Sequence, residues 1–367
     1  MSKSKKALIV AAVFATVGLF GFIPSLIWAV PSFANDVNDA RIHLKESGIG
    51  ESLVYDSAEV VKKINIESIC GNGVRVYIKK STDEKVKVIK YDKMFDEVNL
   101  ETNLDNDGVL TLKGKSQFNA NIFRSSNLNF KELYNTAIDL IASADRESRI
   151  EIYVPNGVDV DVNSRNYTYL NIKNKEVLGE NLNFLVTAGK LKLPEFNNLK
   201  NLNIKCNSAI ELDLRSLMNI EKIDINVSHL RIYSYGNYEV YNVDKVPNEM
   251  NVIANEMYVE SYIPIAKIVN LNIQNCIKVK MDFNRFNIDS NIKLEYKEDN
   301  YSNNKSLEAR NRNSEKGEYI SLPFDENGKY EGKISDGDEG DFKLNIVGKR
   351  LDLRNYNKDR IQNEIGF

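Results

Sequence analysis

The side chains that could do chemistry in this chain are few and scattered. Two His and three Cys among 367 residues leave little for a His-based triad or a Cys/His metal cluster. Ser228 and His229 set a hydroxyl beside an imidazole, but neighbours on a strand point to opposite faces. His229 therefore reads as a surface or rung residue. Cys206 and Cys276 fall three repeats apart, roughly 14 Å at strand spacing, which exceeds disulfide reach. With Cys70 the count is odd, and all three read as small buried residues. The carboxylates Asp213, Asp224, Asp282 and Asp289 stand at different offsets within the repeat and do not converge. Asp161 and Asp224 share an offset, but roughly 14 Å between them is too far for a glycosidase pair. Asp336-Gly-Asp-Glu-Gly-Asp341 is the densest acidic run, and calcium takes such oxygens. Gly340 at its fifth position and Val347 at its twelfth depart from the EF-hand pattern, so a solvated Asp-Gly turn is expected. No Gly-rich phosphate loop occurs. The expectation is a chain that is not an enzyme, with no catalytic residues, no cofactor and no metal.

Charge narrows the partners. Lys and Arg number 49 against 52 Asp and Glu, a net charge of −3, so nothing drives the chain as a whole toward nucleic acid. The N-terminus sets the compartment. Lys3, Lys5 and Lys6 precede Ala7–Val30, an uncharged run of 24 residues that ends near Trp28. A spanning helix needs about 20 apolar residues and a signal-peptide core only 7–15. Ser32-Phe33-Ala34 has the small-x-small pattern of a cleavage site. Two readings stay open: a single-pass anchor, or a leader cleaved after Ala34. In both, lysines at the start leave the bulk of the chain outside the cytoplasm. Residues 1–34 are thus a transmembrane anchor or signal segment, and 35–60 a polar juxtamembrane spacer.

From residue 61 the pattern becomes apolar alternation. Ile64-Asn-Ile66, Val74–Ile78, Val86-Lys-Val88 and Val109–Leu112 read as short strands separated by Gly-, Asn- and Asp-rich turns. Residues 130–146 form a helical insertion, with Leu133, Ala137, Ile138, Ile141 and Ala144 on one face. After Ile150 the strands repeat. Val160-Asp-Val162, Leu182-Asn-Phe184, Leu202-Asn-Ile204, Ile223-Asp-Ile225, Met250-Asn-Val252 and Leu271-Asn-Ile273 begin 22, 20, 21, 27 and 21 residues apart. Most units carry a second alternating strand, such as Ile210–Leu214 or Ile277–Met281. Such a period buries its apolar face only when units stack. The expected architecture is all-β: a β-solenoid, single-stranded β-helix-like, over 61–355. A polar loop at 296–316 interrupts it, and a tail follows at 356–367.

Stacking would place the middle residues of the triplets in one outward column: Asp161, Asn183, Asn203, Asp224, Asn251 and Asn272. Side-chain amides can hydrogen-bond along such a ladder. The chain holds 47 Asn, so composition alone could place some of them there. The long interval comes from an insertion at Tyr233–Asn248, where Tyr233, Tyr235, Tyr238 and Tyr241 form a candidate binding loop.

The run Ile150-Glu-Ile-Tyr-Val-Pro-Asn-Gly-Val-Asp-Val-Asp-Val162 resembles the DUF4097 family of adhesin-like bacterial envelope proteins. So do Ile64–Ile66, Leu185-Val-Thr-Ala-Gly-Lys-Leu191 and the ending Gly332–Leu353. The resemblance covers about residues 60–355, and the 116–147 insertion departs from it. It implies an extracytoplasmic β-helix-like domain with a non-enzymatic role and no catalytic residues. The function expected is adhesin-like binding of a surface or cell-wall ligand. The alternative is a structural or regulatory envelope-stress protein acting through a membrane protein partner. The location expected is the bacterial cell membrane, or outside the cell if the leader is cleaved.

Overall fold

A computed structural model describes residues 31–43, 50–70, 74–92, 96–118, 134–135, 137–138, 141–142, 148–196, 198–234, 241–295, 320, 322–334 and 337–355. Ala7–Val30 lies outside them. Among the described residues no helix is long and apolar enough to cross a membrane. The chain divides into two compact units.

The smaller unit comprises Met1–Glu51, Tyr91–Glu97 and Phe118–Ser148. Its helix α1 spans 31–43. Residues 35–60 are therefore not a plain spacer: they carry most of this helix and a first strand. Phe33, Val37 and Ala40 recur at helical spacing and bury one face against Tyr134, Ile138 and Ala142. Tyr134 and Ala142 are helical, as is Ile138 between them. The Phe33 and Tyr134 rings meet edge-on at 5.9 Å, and the Tyr134 hydroxyl donates to Asp36 Oδ2 at 2.7 Å. Charges at Asp36, Asp39 and Arg41 hide this amphipathic helix in a polar stretch.

The larger unit is built on a single 16-stranded sheet. Its strands are β1 (Glu51–Ser57), β2 (Lys63–Cys70), β3 (Arg75–Lys80), β4 (Val86–Tyr91), β5 (Asp96–Leu104), β6 (Val109–Phe118) and β7 (Arg149–Val154). Longer strands follow: β8 (Val158–Ile172), β9 (Leu178–Lys192), β10 (Asn201–Asp213), β11 (Lys222–Tyr233), β12 (Glu249–Glu260) and β13 (Ile268–Met281). β14 (Phe286–Leu294), β15 (Lys329–Lys333) and β16 (Glu339–Asn355) complete it. From β8 to β13 each strand pairs with the next in parallel. Their inward residues form continuous apolar columns. One runs Val160, Leu182, Leu202, Ile223, Met250 and Val269, all at most 5% exposed. Burying each such side chain stabilises by about 1.5–3 kcal/mol. No single strand could bury them alone.

Each long strand bends once. In β11 the inward positions are Ile223, Ile225 and Val227, then Leu230 and Ile232, so the alternation slips by one residue between the halves. The pairing shifts at matching places: Ser164/Tyr167, Cys206/Ala209, Ala254/Glu256 and Ile273/Cys276. A slip of this kind bends the strand and re-aims its side chains. In β9 the bend holds Gly189. A Cβ on Gly189 would overlap the Thr168 carbonyl oxygen.

Both ends of the stack depart from chain order. β2 pairs with the first half of β8 and β3 with the second, while β6 and β7 lie outside them. The 116–147 insertion therefore joins two strands of one outer layer. At the other end β16 enters between β13 and β14, parallel to both, and β15 closes the edge antiparallel to β14. The C-terminal strand is thus an internal layer, and not the closing one that its place in the sequence suggests. Ile320 and 322–324 lie outside the sheet.

Candidate functional site: the outward columns of the sheet

The first halves of the strands carry an amide ladder. Its register runs Asn65, Asp161, Asn183, Asn203, Asp224, Asn251, Asn270, Asn345 and Asn291. Asn183 Nδ2 donates to Asp161 Oδ1 at 2.7 Å, and Asn251 Nδ2 to Asp224 Oδ1 at 2.8 Å. Asn270 and Asn345 continue it at 2.8 Å each. Lys63 Nζ takes the other oxygen of Asp161 at 2.5 Å. Asn272, expected in this column, is exposed and sits in the neighbouring one, between Ile253 and Val347. Val269, Leu271 and Ile273 all alternate inward, so a two-residue shift leaves every apolar side chain in place. The two registers differ in the length of the link before β13. There Ser261 is fully buried, its hydroxyl donating to the Ile263 carbonyl at 2.6 Å.

The candidate tyrosines do not form one exposed group. Tyr235 and Tyr238 lie outside the described residues. Tyr241 is 7% exposed and belongs to the core, its ring 6.3 Å from that of Tyr262. Tyr233 stands half-buried on the outward face of β11, 6.1 Å from the Tyr258 ring. Tyr258 donates to Glu260 Oε2 at 2.9 Å, and Lys280 Nζ reaches Glu260 Oε1 at 2.9 Å. Burial, then the Glu260 hydrogen bond and charge, push the Tyr258 phenol up to about 12. Burial raises the Glu260 carboxyl, but the bonds from Lys280 and Tyr258 outweigh it and hold it below the ordinary value.

The remaining chemical candidates are tied into structure. Asp213 caps a short turn, accepting from the Arg215 amide at 3.0 Å and Arg215 Nη2 at 2.9 Å. Ser228 Oγ donates to the Asn207 carbonyl at 2.6 Å, and His229 faces Glu256 at 3.7 Å. Asp282 and Asp289 lie on separate segments: Asp282 follows β13, and Asp289 pairs with Lys333 and Lys343 in the sheet. Within the acidic run, Glu339 pairs with Arg285 and Asp341 accepts from Asn287. Asp336 lies outside the described residues. Among the described residues no group of three or more His, Cys, Asp or Glu could hold a metal ion. Cys206 is buried and Cys276 half-buried, both free, and burial pushes the Cys276 thiol up.

An open groove of about 630 Å³ crosses the turns leading into β8–β11. Its charges are mixed and partly satisfied among themselves. Lys200 Nζ meets Glu180 at 2.6 Å, and Asp159 accepts from the Asn181 amide at 3.0 Å.

The second halves hold a face that motif reading passes over. Outward on β7 stand Arg149, Glu151 and Tyr153; beside them on β3 stand Arg75, Tyr77 and Lys79. Tyr169 and Asn171 follow on β8, then Lys190 and Lys192 on β9. Glu151 is 5% exposed, held by Lys79 at 2.7 Å, Arg149 at 2.9 Å and the Tyr153 hydroxyl at 2.7 Å. Burial raises its carboxyl, and these partners together bring it below the ordinary value. The signal was present in Arg75-Val-Tyr-Ile-Lys79 and Arg149-Ile-Glu-Ile-Tyr153, where every outward position is charged or aromatic. Only the stacking makes them neighbours.

No family model matches the chain, and no curated protein matches it. Among solved structures it is similar to a candidate cell adhesion protein from Clostridium sporogenes. The identity is 11%, over 83% of this chain and 99% of that one, with a TM-score of 0.22. A likeness that remote carries no argument.

Proposed function

We propose that the chain is an extracytoplasmic, non-enzymatic binding protein, adhesin-like in that its stacked strands form a β-solenoid whose lateral face engages a surface or cell-wall ligand. The observation that supports it most is the continuous parallel pairing from β8 to β13, extended through β16. It sets outward side chains in straight columns at about 4.8 Å per step, a geometry suited to an extended, repetitive partner. The structural ties on Asp213, Asp224 and Glu339 favour binding over catalysis. Ala7–Val30 would anchor the chain in the bacterial membrane, or be removed with a leader cleaved after Ala34. The test is sedimentation of the detergent-solubilised full chain with washed cell-wall sacculi and with wall-free membranes. Saturable sedimentation with sacculi is expected, and its absence would overturn the wall-ligand reading.

A second reading draws on the helical unit, where Ile42 and Ile141 are 47% and 40% exposed. Apolar side chains on such helices suit a membrane protein partner and a regulatory envelope role. Co-purification of one integral protein with the full chain, lost in an Ile42→Asp/Ile141→Asp variant, would favour it.

A further inference from the structure

We infer that the ligand-binding surface is the basic face on the second halves of β7, β3, β8 and β9, and that it takes a polyanionic polysaccharide. The inference rests on the binding reading above and names its surface and ligand class. The chain is net acidic at −3, yet the outward positions of these four strands and of Lys173 just beyond β8 carry Arg149, Arg75, Lys79, Lys190 and Lys192 besides. Glu151 is the acidic residue among them, and it is buried beneath Lys79 and Arg149. The face ends at β10, where Glu211 and Asp213 take the outward positions. Beyond β10 the charges alternate in sign, as at Arg231, Glu260 and Lys280.

The aromatic rings act as pedestals for the cations. The Arg75 guanidinium lies 4.9 Å from the Tyr169 ring centre. Lys79 Nζ lies 5.4 Å from that of Tyr153, and Lys173 Nζ 5.3 Å from that of Tyr77. A cation over a ring face is held in place, and Lys79 also meets Glu151 at 2.7 Å. Asn171 Nδ2 donates to the Tyr169 hydroxyl at 3.2 Å and fixes that ring in turn. Lys173, Lys190 and Lys192 are exposed.

This arrangement selects the ligand class. The cations are spread in rows at about 4.8 Å between strands and are not gathered around one pocket. A chain bearing an anion on successive units can meet several at once. Tyr77, Tyr153 and Tyr169 each carry a cation over one ring face, and Tyr169 is 8% exposed, which leaves little ring surface for the stacking bases of a single-stranded nucleic acid. Tyr167, 49% exposed and two residues before Tyr169, offers an open ring at the border for a sugar face. Charged rows of this kind act through complementarity and weaken as salt rises.

The test uses the detergent-solubilised full chain and four probes: polygalacturonate, neutral dextran, a single-stranded oligonucleotide and phosphatidylglycerol vesicles. Saturable binding to polygalacturonate that falls with salt, with no binding to dextran, is expected. Lys173→Glu/Lys190→Glu/Lys192→Glu should weaken it about tenfold or more, since three exposed attractions become repulsions. Lys205→Glu/Lys222→Glu/Lys278→Glu, placed on other strands (β10, β11 and β13), should leave it within about twofold. No polygalacturonate binding, an unchanged affinity in the first variant, or tighter binding to oligonucleotide or vesicles would each overturn the inference. Sacculus binding that survives the first variant would overturn it while leaving the wall-ligand reading intact. Polygalacturonate binding without sacculus binding would do the reverse.

Discussion

Asn270 Nδ2 lies 2.8 Å from Asn251 Oδ1, and Asn251 Nδ2 in turn lies 2.8 Å from Asp224 Oδ1. The amide of Asn251 is therefore used at both ends, while Asn272, two residues beyond Asn270, stands exposed in the next column. Replacing Asn251 by Ala removes two side-chain hydrogen bonds and leaves their partners to solvent. A loss of about 1–2 kcal/mol is expected. Asn272→Ala should stay within about 0.5 kcal/mol of the parent. Urea unfolding of both variants checks this, and equal effects would mean that the register is the other one.

The order of strands at the C-terminal end can be tested by cross-linking. Asn270 and Asn345 are register partners on neighbouring strands, as are Asn345 and Asn291. Asn270 and Asn291 are separated by β16, about 9.6 Å at two strand spacings, which is beyond disulfide reach. Under mild oxidation, Asn270→Cys/Asn345→Cys should form a disulfide seen by peptide mapping, and Asn270→Cys/Asn291→Cys should not. A bond in the second pair would place β14 directly against β13.

Two glycines separate crowding from backbone conformation. Gly189 sits at the bend, where a Cβ would overlap the Thr168 carbonyl oxygen. Gly157 has φ +80° but no atom within 4 Å of its would-be Cβ. Gly189→Ala should destabilise by about 2–3 kcal/mol, because a backbone carbonyl must move. Gly157→Ala should cost about 1 kcal/mol through its left-handed backbone alone. Thermal melts of both variants give the comparison, and a milder effect at Gly189 would show that the bend yields.

Glu151 ties stability to pH. Its carboxyl is raised by burial and brought below the ordinary 4.5 by Lys79, Tyr153 and Arg149. A depressed folded value contributes stability that is present above 4.5 and lost as pH falls through the folded value. Chemical unfolding should therefore show a midpoint that drops below about pH 4.5, with a shallower slope in Glu151→Gln. That variant should lose about 1–3 kcal/mol at neutral pH, since Lys79 and Arg149 lose their shared anion. An identical pH slope in parent and variant would remove Glu151 from this role.

The strand character of the chain was legible from alternation alone. Inward Ile, Leu and Val at every second residue, with a period near 21, account for β8 to β12 and for most of the amide ladder. The amphipathic helix at 31–43 was obscured because charges fill its outer face, and Tyr241 was grouped with the binding-loop tyrosines although Val240, Val243 and Val246 around it are apolar. The resemblance to DUF4097 proteins rested on the same low-information alternation.

What the sequence determined by itself is which side of each strand faces inward, because burial of apolar side chains has a period of two and needs no partner to be named. Which strand lies beside which was left to the tertiary structure. A two-residue shift conserves every inward position, so alternation alone could not choose Asn270 over Asn272. The placing of β16 between β13 and β14 fell to long-range pairing. The basic face is a product of that same step: Arg75, Arg149, Tyr169 and Lys190 are distant in the chain, and only stacking sets them on one surface.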